Sequence, residues 1–153
     1  MKLCLMASMM LCCGAQTIAI TGGVAGSHSR VGFDVDYPLN RRCLAFERGW
    51  YYPSGGYGSR LAVGCRVAPR AAVAVGTVIT GPGLTAHPAV GLTVPLTRRL
   101  LVYSNHLLIG HGADYGAEYL HPIRGHWGVK LSGDCFVLHG ATCSLHTGLW
   151  WRR

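Results

Sequence analysis

The sequence predicts an all-β fold, an antiparallel up-and-down barrel of eight to ten strands with short turns. Three observations predict it. Apolar and polar residues alternate in short runs. The 22 glycines occur with many β-branched and aromatic residues. No long stretch carries a 3.6-residue period. The alternation is clearest in Val90–Ile109, where Val90, Leu92 and Val94 fall on one side and Gly91 and Thr93 on the other. A proline and a basic turn, Thr97-Arg98-Arg99, then lead into a second apolar run. The same unit is written at Val31–Phe46, Val63–Val75 and Tyr115–Leu131. Four copies make it the repeating element of the fold.

Within the copies, Val31, Val63, Val90 and Tyr115 share a face with Phe33, Cys65, Leu92 and Ala117, and with Val35, Val67, Val94 and Tyr119. The opposite face receives the glycines and then Asp34, Arg66, Thr93 and Glu118. A soluble barrel turns the apolar face inward, and a transmembrane barrel turns it toward lipid. Composition decides between them. Hydrophobic residues are 50% and charged residues 13% of the 153-residue chain, with six Asp and Glu in all. Soluble domains carry about twice that charged share. Few charges remain to coat a water-facing wall, so the expectation is a transmembrane β-barrel.

Export signals agree. Residues 1–15 read as a secretory signal peptide: one lysine, an apolar run from Leu3 to Cys13, then Gly14-Ala15. The run is too short to cross a bilayer as a helix. Lipidation at Cys12 is disfavoured by Leu11 before it, where a small residue belongs. Residues 16–153 then form a single barrel domain, placed by this reasoning in a bacterial outer membrane. Cys43, Cys65, Cys135 and Cys143 remain after the signal. Cys135 and Cys143 bracket a strand tip, and Cys43 and Cys65 lie near one end of successive strands. Two disulfides or four free thiols both suit an exported chain. No Cys-x-x-Cys spacing points to metal.

In chain order, Ile18–Gly26 is a first strand and Val31–Leu39 its return. Cys43–Tyr52 follows, ending in Trp50-Tyr51-Tyr52, an aromatic cluster suited to a membrane interface. Pro53–Ser59 and Thr80–Pro88 read as loops. Arg60–Ala68 pairs with Ala71–Ile79, Ala89–Leu96 with Leu100–Gly110, and Tyr115–Ile123 with Trp127–Leu138. Cys143–Trp151 closes the set. An even count puts both termini at one end, and every proline-arginine turn with them. A periplasmic N-terminus would make those turns periplasmic.

Pairs such as VGLTVPLTRRLLVYSNHLLIG and VGFDVDYPLNRRCLAFERGWYY resemble the small outer-membrane β-barrels of the OmpA/OmpX type. The resemblance is one of repeat style across most of the mature chain. It implies a membrane-spanning barrel assembled by the outer-membrane insertion machinery. Such barrels end on an aromatic residue, whereas here Arg152-Arg153 follow Trp150-Trp151.

Net charge is +8. The arginines come as turn pairs, not as a stripe interleaved with stacking aromatics, so nucleic acid is not the expected partner. Solvated turn charges are the default reading, and for arginines near the membrane surface the expected partners are outer-membrane lipid and lipopolysaccharide phosphate. Asp34, Asp36, Glu47, Arg66, Thr93, Glu118 and Lys130 are read as lumen residues, with the acids and bases pairing across a largely filled interior. The role this supports is structural or surface-interacting. Arg48 and Asn105 break their apolar faces at equivalent repeat positions, which a bulge at each would explain. Ser104, His106 and Glu118 are the weak candidates for a lipid A esterase triad, the first two as a pair on one strand and Glu118 as orienting acid. Their bland reading is lumen-facing polar residues. No cofactor or metal site is expected, since the histidines are scattered. A soluble secreted barrel binding a small apolar ligand is the remaining alternative.

Overall fold

The structure, a computed structural model, describes residues 16–53, 56–80, 85–109, 112–137 and 141–153. The signal-peptide reading of residues 1–15 lies outside them.

Ten strands follow one another: β1 (Thr17–Ala25), β2 (His28–Pro38), β3 (Cys43–Tyr52), β4 (Gly56–Ala68), β5 (Ala71–Thr80), β6 (Thr85–Pro95), β7 (Leu100–Leu107), β8 (Ala113–Arg124), β9 (Trp127–Val137) and β10 (Ala141–Arg152). Each pairs antiparallel with its neighbours in sequence, and β10 returns to pair with β1, so the sheet closes on itself. This is an up-and-down barrel with no free edge. Its strands run from eight residues in β7 to thirteen in β4. A tilted strand of about 9–11 residues crosses a bilayer.

The closure seam is long and regular. Thr17 lies opposite Arg152 and Ala25 opposite Ser144, with every residue between in register. Among the described residues, register shifts occur only near Arg66/Ala68 and near Pro122/Arg124, where a turn or a proline ends the ladder. Neither Arg48 nor Asn105 sits at a bulge. Both belong to regular ladders and point inward. Two of the tight turns carry Gly26 at φ 57° and Gly125 at φ 56°. That left-handed region is open to glycine at little cost.

The wall extends further than the glycines and prolines suggested. Within the segment Pro53–Ser59 the strand β4 already begins at Gly56, and of Thr80–Pro88 the residues Thr80 and Thr85–Pro88 belong to β5 and β6. Backbone pairing continues through Gly58–Thr80 and Ile79–Ala86.

Long apolar side chains cover the outer wall, and the charged side chains between the rims, Glu47 excepted, point inside. Val75 is 62% exposed on the outer wall, and Lys130 is 4% exposed within. Ile20, Leu145 and Leu149 share the outer wall with it. Bulky lumen side chains stand opposite glycines on the next strand: Trp50 opposite Gly58, Tyr103 opposite Gly116, Trp150 opposite Gly128. A side chain at any of those glycines would occupy space the aromatic ring fills. These three glycines therefore make room for aromatic rings inside the cylinder.

Candidate functional site: the charged lumen

A cavity of about 540 Å³ runs inside the barrel. Its lining reaches one rim at Arg42, Arg66 and Arg152 and the other at Tyr52, Thr80 and Thr142. Between the rims the described wall contributes Arg30, Arg48, Arg60 and Lys130 against Asp34, Asp36, Asp114, Glu118 and Asp134.

The alternation of β2, β8 and β9 aims Asp34, Asp36, Glu118 and Lys130 inward. The Lys130 ammonium contacts Asp34 and lies 2.8 Å from Glu118. Arg48 continues the chain, 2.6 Å from Asp36 and 3.7 Å from Asp34. A second cluster sits toward the far rim. Arg30 is 3.2 Å from Asp134 and donates to Ser144 at 2.8 Å. Ser144 donates to Asp134 at 2.5 Å, and His146 Nε2 is 2.8 Å from Ser144 Oγ. Low-dielectric surroundings strengthen such pairs and make an unpaired member costly.

The two clusters share an architecture. Arg30 and Asp34 stand on β2, whereas Asp134 and Lys130 stand on β9. Their bonds therefore pass over β10 and β1, the two strands that close the barrel. The lumen face of β1 is Thr17, Ala19, Thr21, Gly23 and Ala25, all small. Gly148 of β10 lies opposite Thr21. Small residues under the bridges let long side chains span the seam.

The lumen guanidinium groups also rest on aromatic faces. The guanidinium groups of Arg48 and Arg60 lie 5.1 and 5.0 Å from the Phe46 ring, and that of Arg30 lies 5.1 Å from Trp50. Arg60 takes no ion pair among the described residues. Asn105 donates to Asp114 at 3.1 Å, and Asn105 Oδ1 and Asp114 Oδ1 have no protein partner. Water in the cavity would satisfy them. Arg30, Arg60, Tyr103, Asn105 and Asp134 are lumen residues beyond those the sequence predicts. The signal available was the inward parity of their strands.

Thr93 lines the lumen opposite Tyr103, and Arg66 lines its mouth. Glu47, read as a lumen residue, is instead on the outer wall. Arg48 next to it points inward, and Glu47 Oε1 accepts from Ser59 Oγ at 3.1 Å. The cluster Trp50-Tyr51-Tyr52 is divided likewise: Trp50 and Tyr52 line the lumen, and Tyr51 alone is exposed outside.

Ser104 and His106 also face outward, which corrects their reading as lumen residues. Ser104 lies between Leu92 and Tyr115 on neighbouring strands, and the His106 ring is edge-on to Tyr115 at 5.6 Å. Glu118 is inside, bound to Lys130. The wall thus separates Glu118 from the Ser104/His106 pair, and the three do not assemble as a triad.

The cysteines are joined as Cys43–Cys65 and Cys135–Cys143. Each pair is directly cross-strand, with Cα atoms 4.1 and 3.9 Å apart. Both lie on the outer wall, one toward each rim.

Charge at the two rims is distributed unevenly. Arg41 and Arg42 are in the β2–β3 turn, Arg66 and Arg70 flank the β4–β5 turn, and Arg98 and Arg99 are in the β6–β7 turn. Arg124 borders the β8–β9 turn, and Arg152 and Arg153 follow at the end of β10. All nine lie at one end. The connections at the other end contain no Lys, Arg, Asp or Glu.

A closed ten-stranded antiparallel barrel, apolar outside and charged within, is the architecture of a transmembrane β-barrel. Comparison with solved structures gives the same class. The chain is similar to the NanC porin at 9% identity, with a TM-score of 0.54 over 89% of this chain and 100% of that one. It is similar to the KdgM porin at 5% identity, with a TM-score of 0.53 over 90% and 99%. A designed transmembrane β-barrel matches at 11% identity and a TM-score of 0.50, over 92% and 96%. At such identities the likeness is one of fold. No protein-family model matches, and no curated protein does.

Proposed function

We propose that this protein is a bacterial outer-membrane β-barrel whose lumen forms a narrow, charge-lined passage of porin type. The observation that carries the reading is the polarity of the wall. Val75, Leu145 and Leu149 stand exposed outside, while Lys130, Asp34 and Glu118 pair inside. In water that arrangement would expose a cylinder of apolar surface and bury charge. In hydrocarbon it satisfies both. It is also the reverse of what a soluble barrel needs to hold a small apolar ligand. The cavity reaching both rims supports passage of water and small polar solutes. The outer-membrane insertion machinery and the surrounding lipid are the partners this location entails.

A second reading keeps the barrel in the membrane but without flow, in a structural or surface-interaction role. The Asp34–Lys130 contact favours it, because it joins β2 to β9 inside the barrel and, with Glu118 and Arg48 bound to its two ends, narrows the lumen.

Fractionation tests the membrane reading. The protein should need detergent for extraction and should migrate differently on a gel before and after heating. Recovery in the soluble fraction without detergent overturns it. Planar-bilayer recording separates the two roles: discrete small conductance steps support the passage, and a silent inserted barrel supports the structural role.

A further inference from the structure

We propose that the arginine-rich end of the barrel is a binding surface for anionic phospholipid head groups. It rests on the membrane reading above and adds a partner, a location on the molecule and a chemistry.

The first observation is the segregation of charge. The lumen holds its own cations against its own carboxylates, so nearly all the net positive charge resides at one rim. The turns there are built to leave the guanidinium groups free. Asn40 Oδ1 accepts from the backbone nitrogens of Arg42 and Cys43 at 2.8 and 2.9 Å. Thr97 Oγ1 accepts from those of Arg99 and Leu100 at 3.1 and 3.0 Å. These side chains satisfy the turn backbone, and the arginines between them make no ion pair among the described residues. A planar guanidinium presents paired donors that match phosphate oxygens.

The second observation concerns what stands beside the arginines. Trp127 and Trp151 are direct cross-strand partners on the outer wall at this rim, with Arg124 paired opposite Trp127 and Arg153 two residues beyond Trp151. Leu39, Leu96 and Ile123 are exposed at the same level, by 56%, 54% and 63%. Tryptophan and apolar groups beside unpaired cations suit a membrane interface, with rings at head-group depth and cations reaching phosphate. A soluble polyanion would leave that apolar surface wet. The opposite rim also exposes Leu108 and Ile109 but has no cations in its connections, so the preference belongs to one end.

Tryptophan quenching by brominated lipid tests this. The purified full chain is reconstituted in phosphatidylcholine vesicles containing a fixed fraction of either brominated phosphatidylglycerol or brominated phosphatidylcholine. Trp127 and Trp151 report contact, and the lumen residues Trp50 and Trp150 give a constant background. The expected result is about twofold stronger quenching by the anionic lipid. That preference should shrink in about 1 M salt, where screening acts over about 3 Å. The exposed-turn variant R98Q/R99Q/R124Q should quench equally with both lipids while keeping its heat-modifiable migration. Equal quenching of the wild type by both lipids, or full preference retained in the variant, overturns the inference alone. No quenching by either lipid overturns the membrane reading beneath it.

Discussion

Tyr103 of β7 stands directly opposite Gly116 of β8 and fills the lumen space that a side chain on that glycine would need. The pairing explains the glycine at this position of the repeat. It also yields a test. Gly116→Val should destabilise the barrel by about 1–3 kcal/mol, the usual range for overpacking. Tyr103→Ala in the same background should recover part of the loss. Denaturant unfolding in vesicles, followed by tryptophan fluorescence, measures both.

Lys130 holds two carboxylates, Asp34 and Glu118. Lys130→Met removes the cation and leaves both acids buried. The expected loss is about 3–5 kcal/mol, typical when one partner of a buried pair is removed. Replacing Asp34 by Asn and Glu118 by Gln in the same chain should restore much of it. The cycle of single and combined variants reads the coupling directly.

Val75 lies near the middle of β5, on the outer wall. Val75→Arg should cost about 2–4 kcal/mol in a bilayer, as a cation does at the midplane of a barrel's lipid face. Val75→Leu should change little. Unfolding of both variants in vesicles decides it. A charge tolerated at this position would mean that water reaches the outer wall.

Ser104 and His106 are separated from Glu118 by the thickness of the wall. Ser104→Ala should therefore leave the acyl pattern of lipid A unchanged relative to the overexpressed wild type. Mass spectrometry of extracted lipid A makes the comparison. Loss of an acyl-chain change specific to the wild type would revive the esterase role.

Much of this molecule was legible in its sequence, and the rest was hidden for a definable reason. The alternation in β2, β4, β6 and β8 sorted Asp34, Thr93 and Glu118 from Val31, Leu92 and Tyr115, because polarity there tracks orientation. In β3 and β7 it does not. Their inward side chains include Leu44, Phe46, Trp50, Leu101, Tyr103 and Leu107, as apolar as any lipid-facing set. Glu47, Ser104 and His106 take the outer positions instead. Hydrophobicity alone could not tell lumen from lipid on those strands, so Arg48 and Asn105 looked like interruptions. Their neighbours hold the missing information, since Trp50 faces Gly58 and Tyr103 faces Gly116 across a hairpin. Glycine and proline misled in another way. They are permitted in the upper wall at Gly56–Ser59 and Thr85–Pro88, where the strands continue past the segments that resembled loops. The charged network was only partly legible, because Arg30 and Asp134 meet across more than a hundred residues of chain.

The bonds that pass over the seam have a consequence for how this chain reaches its native state. Neither Arg30–Asp134 nor Asp34–Lys130 can form while the sheet is an open ribbon, since each joins the second strand to the ninth. Their stabilisation arrives together, and only when the last strand meets the first. A half-assembled wall gains nothing from them and carries stranded charges instead. Folding should therefore be all-or-none, without a long-lived partial cylinder along the way.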